Sequence, residues 1–234
     1  MDLLERICYG ERFGAVYTQD STAETPEKPA NDEEDVNKFS LRRLSSEEYV
    51  IFTLDLCHNQ LDRHFSKFPN EELEKINKLV PGRPLMERHD LRGSLPRGVF
   101  FKSCLAVDNE KIYVRPKVYV LRLEENKSFI ANIEGGIYRE TSIGFTFTLP
   151  ECSICGKDIR KCVHIPGKKY DSELCFYWLR DVQEVLEGSV VACGSQGTGF
   201  VRDYRNSVIA GLGEKWDIIY SLNNFKKTPW LEND

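Results

Sequence analysis

The chain has 234 residues, 41% hydrophobic and 29% charged, with a formal net charge of −5 at pH 7. That size suits one large domain, or one domain with a modest insert. No run approaches the ~20 apolar residues needed to cross a bilayer, which leads to the expectation of a soluble protein, and the acidic balance disfavours nucleic acid as the main partner, because neutralising phosphates takes a basic surface.

The opening Met1-Asp2-Leu3-Leu4-Glu5-Arg6 has neither the basic nor the apolar region of a secretory signal, so export is not expected. Residues 18–38 are polar, acidic and proline-containing and read as a flexible linker behind an apolar arm, Ile7 to Tyr17. The division expected is an arm with its linker over 1–45 and a folded domain over 46–234.

Strand-like runs rich in β-branched and aromatic residues follow: Tyr49 to Leu54, Val99 to Val107, Ile112 to Val114, Val118 to Leu123, and Ile143 to Thr148. Further runs are Leu174 to Leu179, Val190 to Cys193 and Trp216 to Tyr220. Helices are fewer. One is predicted from Asn70, as cap, through Leu79 to the stop Pro81-Gly82, and another over Lys127 to Glu134 ending at Gly135-Gly136. Many strands with few helices predict an α+β domain built on a barrel or a strongly twisted sheet.

Four of the eight cysteines fall between Cys152 and Cys175. Without an export signal, metal ligation explains that cluster better than disulfides, in a reducing compartment. Cys152-Ser153-Ile154-Cys155 supplies two thiolates three apart, and Cys162-Val163-His164 a thiolate and an imidazole two apart. Four such donors suit tetrahedral zinc, and with every position filled by protein the ion would be structural. Gly156 permits the tight turn after the second ligand. The second half departs from ordinary finger spacing, and Cys175 is an alternative ligand.

Ser142 opens an apolar strand just after Gly135-Gly136, a place where serines are ordinary. As a nucleophile it would need a base and a group to orient that base. The four histidines are His58, His64, His89 and His164. His164 falls to the metal, His58 and His64 read as ordinary polar residues, and His89 stands where an apolar segment meets a glycine-containing turn. Residue chemistry alone goes no further.

Met86-Glu87-Arg88-His89-Asp90, then Gly135-Gly136-Ile137-Tyr138-Arg139-Glu140-Thr141-Ser142-Ile143-Gly144-Phe145, then Glu184-Val185-Leu186-Glu187-Gly188-Ser189-Val190-Val191 resemble, in order and spacing, the prohead proteases of tailed phages. Many members of that family also carry the Cys-Ser-Ile-Cys-Gly-Lys and His-Ile-Pro-Gly segments found here at 152–157 and 164–167. The resemblance covers roughly residues 46–193. It implies a β-barrel core surrounded by a few helices, similar to the herpesvirus maturational proteases, with a small zinc loop inserted at about 150–170. It further implies a serine endopeptidase that cuts scaffold protein, capsid-protein extensions and itself inside the assembling prohead in the host cytoplasm. Its partners would be the major capsid and scaffold proteins and further copies of itself.

By position, Ser142 would be the nucleophile and His89 its base. Glu187 would be the orienting acid, with Glu184, Asp90 and Asp181 as alternatives, because Gly188 stands where the family has an apolar residue. Amides near Ser142, or Arg139, would serve an oxyanion. Two other readings compete. One is a catalytically silent capsid component that keeps the fold. The other is a zinc-stabilised nucleic-acid module, supported only by Lys157, Arg160, Lys161, Lys168 and Lys169.

Overall fold

A computed structural model describes residues 32–108 and 110–201. The apolar arm and the expected strand at 216–220 lie outside the described residues. The first element is a helix, α1 (Asp32–Asn37), where composition predicted the end of the linker. One apolar residue and two lysines decide this: Val36 is fully buried, while Asp32 and Asp35 face Lys117 and Lys102 of the sheet at 2.8 and 3.6 Å.

The sheet is built from β1 (Tyr49–Thr53), β2 (Cys57–His58), β3 (Ser66–Lys67), β4 (Pro84–Glu87), β5 (Gly98–Asp108), β6 (Lys111–Leu121), β7 (Glu140–Cys152), β10 (Tyr177–Val191) and β11 (Thr198–Gly199). β8 (Lys169–Tyr170) and β9 (Glu173–Leu174) form a separate small hairpin. The order across the main sheet is β1-β6-β5-β4-β10-β7-β11, with β2 pairing on β6 and β3 on β10. The sheet curls into a half-barrel, and an antiparallel bridge from Leu54 to Phe200 joins the residues that follow its two outer strands. The architecture is thus mixed α+β, with few helices.

The two runs predicted within 112–123 fall in one strand, β6, which ends at Leu121 and is interrupted only in its partners. Pro116 has no N–H to donate, and it sits where β6 passes from β2 to β1; its carbonyl accepts the Leu54 N–H at 3.2 Å. Conversely, the run predicted from Leu174 to Leu179 is split between β9 and β10, and the strand expected to reach Cys193 stops at Val191.

Helix α2 (Asn70–Leu79) buries Leu73 and Ile76 completely, at the three-residue spacing of one helical face, and ends before Gly82 at φ +88°. Its cap residue is Pro69 rather than Asn70, which lies inside the first turn. Glu72 on this helix accepts the amides of Asp181 and Val182 at 2.8 and 3.0 Å. Those amides lie just before the register shift between Val182 and Glu184 in β10, so the helix supplies acceptors where the ladder turns irregular. Helix α3 (Lys127–Glu134) places Phe129, Ile130 and Ile133 in the same core, as its sequence predicts.

Candidate active site and metal centre

The longest pairing among the described residues is the antiparallel ladder between β7 and β10, from Cys152↔Tyr177 at one end to Glu140↔Val191 at the other. Directly opposed residues in such a ladder share a face, as do residues two apart along a strand. Ser142 opposes Ser189 and Gly144 opposes Glu187, so these four positions lie on one face near one end of the hairpin. β4 runs parallel on the other side of β10, Met86 against Ser189, and delivers the chain to His89, two residues beyond its last residue Glu87.

His89 reaches that face through Arg88, whose φ of +70° is the left-handed region a non-glycine residue seldom adopts. β10 holds this turn: the Arg88 N–H donates to Val190 O at 2.9 Å, and its carbonyl lies 2.9 Å from the Ser189 hydroxyl oxygen. The His89 Nδ1–H then meets Glu187 Oε1 at 2.5 Å. The carboxylate is 2% exposed, and its other oxygen takes a hydrogen bond from Ser189 Oγ. That hydrogen bond from His89 to Glu187 raises the imidazole above its ordinary value of 6.5, outweighing the partial burial that opposes protonation. With Nδ1 held by the acid, Nε2 is the nitrogen left for proton exchange with a hydroxyl. No hydrogen bond joins Ser142 to His89 among the described residues; such contacts tighten in substrate complexes.

Gly144 has a reason to be glycine. A Cβ there would stand 2.2 Å from Glu187 Oε1 and 3.0 Å from its Cδ, and the carboxylate is pinned from both sides. Gly144→Ala is expected to push Glu187 off His89 and destabilise the fold by about 1–3 kcal/mol through overpacking. Urea midpoints and a His89 titration check it; an unshifted midpoint with an unchanged titration would contradict the account. Gly188 is explained in the same way. Its Cβ would lie 2.6 Å from the Phe100 ring and 2.8 Å from Leu56, so a buried aromatic fills the volume that an apolar side chain at 188 would occupy.

The alternative acids are engaged elsewhere. Asp90 Oδ1 accepts the amides of Arg92 and Gly93 in the turn after His89, at 3.2 and 2.7 Å. Asp181, at φ +57°, takes the Thr148 hydroxyl and faces Lys75 at 3.7 Å. Glu184 is exposed opposite Thr146. Arg139, considered for an oxyanion, donates its Nε to Gly136 O at 2.6 Å. Of the remaining histidines, His58 is buried against Gln196 O at 3.0 Å, with burial lowering its pKa, while the amide of exposed His64 donates to Asp62. Sequence reasoning missed Ser189 and the strained Arg88. The two-residue spacing from Glu187 to Ser189 was a readable signal for the first.

At the opposite end of the same hairpin, Cys152, Cys155, Cys162 and His164 bring their donor atoms within 4.8 Å of one another, a set that could hold a metal ion. Cys152 is the last residue of β7, and the turn back is fixed by Cys152 N–H to Lys157 O at 2.8 Å and Gly156 N–H to Cys152 O at 2.9 Å, with Gly156 at φ +69°. Burial opposes ionisation of Cys152, but the amides of Cys155 and Ile154 aimed at its sulfur outweigh it and lower its pKa. A single turn of 3₁₀ helix at Ile159–Lys161, capped by Asp158, presents Cys162. The His164 ring lies edge-on to Tyr170 at 4.6 Å and places Nδ1 3.6 Å from Cys152 Sγ. Cys175 is fully buried alongside, its thiol pushed up to about 11 chiefly by burial, and it is not in the four-donor group. Arg160, one of the basic residues considered for nucleic acid, is bound to Asp158 at 2.7 Å.

Comparison with family models, with curated proteins and with solved structures returned no match to this chain.

Proposed function

We propose that the chain is a serine endopeptidase of the prohead protease kind, acting on scaffold protein, capsid-protein extensions and itself within an assembling shell in the host cytoplasm. The observation that carries the reading is the buried Glu187 carboxylate joined to His89 Nδ1 on the sheet face that also bears Ser142. The motif order from His89 through Ser142 to Glu187 adds to it, and a curled sheet with few helices accords with a fold like the herpesvirus maturational proteases.

In this reading Ser142 Oγ bonds to the scissile carbonyl carbon while its proton passes to His89 Nε2. His89 then gives that proton to the leaving amine nitrogen as the C–N bond breaks. Water repeats the sequence to release the acyl group. Glu187 stays ionised throughout, holding the tautomer with hydrogen on Nδ1 and stabilising the imidazolium. Cys152, Cys155, Cys162 and His164 are the residues that would hold zinc, which would supply cross-linking of the loop rather than chemistry.

The test is intact-mass spectrometry of the full chain co-expressed with its shell and scaffold proteins, beside Ser142→Ala. Trimmed shell protein and scaffold fragments are expected with the native chain and none with the variant, at equal thermal stability. If the alanine chain still trims, the nucleophile is misassigned. Should neither trim, with the chain retained in finished particles at fixed stoichiometry, a silent structural role replaces the peptidase.

A further inference from the structure

We propose that Ser189 is the positioning residue of the His89–Glu187 pair, fixing the acid with one buried hydroxyl that also packs against the turn carrying the base. The inference rests on reading His89 as a base and Glu187 as its orienting acid.

Ser189 is fully buried and lies opposite Ser142 in the β7–β10 register. Its Oγ touches two groups that matter: Glu187 Oε2, and Arg88 O at 2.9 Å. A hydroxyl has one hydrogen and two lone pairs, so it cannot donate to both at once. With Glu187 ionised, the hydrogen belongs to the carboxylate, where a charge-assisted bond is the stronger. That bond stops the carboxylate rotating about its last torsion, so Oε1 stays aimed at His89 Nδ1. It also meets part of the cost of keeping a charge at 2% exposure, which a single imidazole would otherwise bear alone.

The contact with Arg88 O places the same side chain against the left-handed residue whose geometry swings His89 over the sheet. When imidazolium forms in the reaction, the donor on Oε2 steadies the negative charge opposite it and keeps the proton on Nδ1. Ser189 touches neither substrate nor reacting atoms; it acts through Glu187.

The experiment is proton NMR of the full chain, following the far-downfield Nδ1–H resonance of His89, in native, Ser189→Ala and Ser189→Cys forms, each also in a Ser142→Ala background. Cysteine keeps the shape but donates weakly, and it serves if the alanine chain does not fold. Expected in both variants is loss or a marked upfield move of the resonance, a kcat lowered by about 10²-fold with KM unchanged, and an altered acidic limb of the pH profile. An unmoved resonance and profile would overturn the positioning role. The resonance reports on the pair whether or not peptides are cut. A chain that cleaves nothing but shows the expected shift retains this inference and loses the peptidase reading, and cleavage with an insensitive resonance does the reverse.

Discussion

Glu187→Gln is expected to lower turnover by about 10⁴-fold, the scale seen when the acid of a serine–histidine–acid triad becomes an amide. The side chains are nearly the same size, so the substitution fits the 2%-exposed site. What changes is the hydrogen bonding. An amide can present its NH₂ to His89 Nδ1 and so stabilise the tautomer with hydrogen on Nε2, which cannot accept a proton from serine. The charge that supports the imidazolium is also gone.

A second readout follows from the sign of the shift. Glu187 raises the His89 pKa above 6.5, and activity requires the neutral ring, so native activity rises with pH through that raised value. In the glutamine variant the acidic limb moves down towards 6.5 while the plateau collapses. Stability runs the other way: a histidine whose pKa is higher when folded favours the folded chain most below about 6.5, and the gain fades as pH rises through the folded value. Initial rates over pH 5–9 on a cleaved peptide check the first, and a fall of less than tenfold would remove Glu187 from the triad.

Removal of the metal is expected to have the largest effect on stability. Structural zinc contributes about 10–16 kcal/mol in small finger peptides. Here part of the loop is already ordered by the turn at Gly156 and the β8–β9 hairpin, so about 5 kcal/mol is the expected loss, or a drop of roughly 10–20 °C in unfolding midpoint for a domain of this size. A chelator in excess, or Cys152→Ser, should release one ion per chain and produce that drop. Cys175→Ser should retain the ion, since its sulfur is outside the four-donor group. Metal release measured with a chromogenic chelator, together with thermal scans, separates the outcomes. An unchanged midpoint on chelation would mean the four donors are merely adjacent thiols and an imidazole.

How far the sequence was legible depends on which forces acted locally. The strands at 49–54 and 143–148, helices α2 and α3 and the cysteine loop were readable because apolar pattern, capping signals and donor spacing are short-range features. β10 was missed over Arg180 to Ser189 because two register breaks spoil its alternation. Its Asp181 and Glu184 are exposed, in a stretch that reads as polar. Helix α1 was misread because its partners, Lys102 and Lys117, come from strands far along the chain. At the site, Glu187 was one of four acids that spacing could not separate; the fold separates them by giving Asp90 and Asp181 other hydrogen bonds. The roles of Gly144 and Gly188 were invisible, because each depends on a side chain from another segment occupying the space above it.

Nearly every element of the proposed machinery lies in one contiguous hairpin, from Ser142 through the cysteine loop to Ser189, and only His89 arrives from outside. It does so on β4, which joins β10 as a parallel neighbour across roughly a hundred residues of chain. Pairings of such long range form late, because loop closure must be met before they are rewarded. His89 therefore joins Ser142 and Glu187 only once β4 has paired with β10. Under the proposed reading, the ability to cut would belong to the finished domain alone.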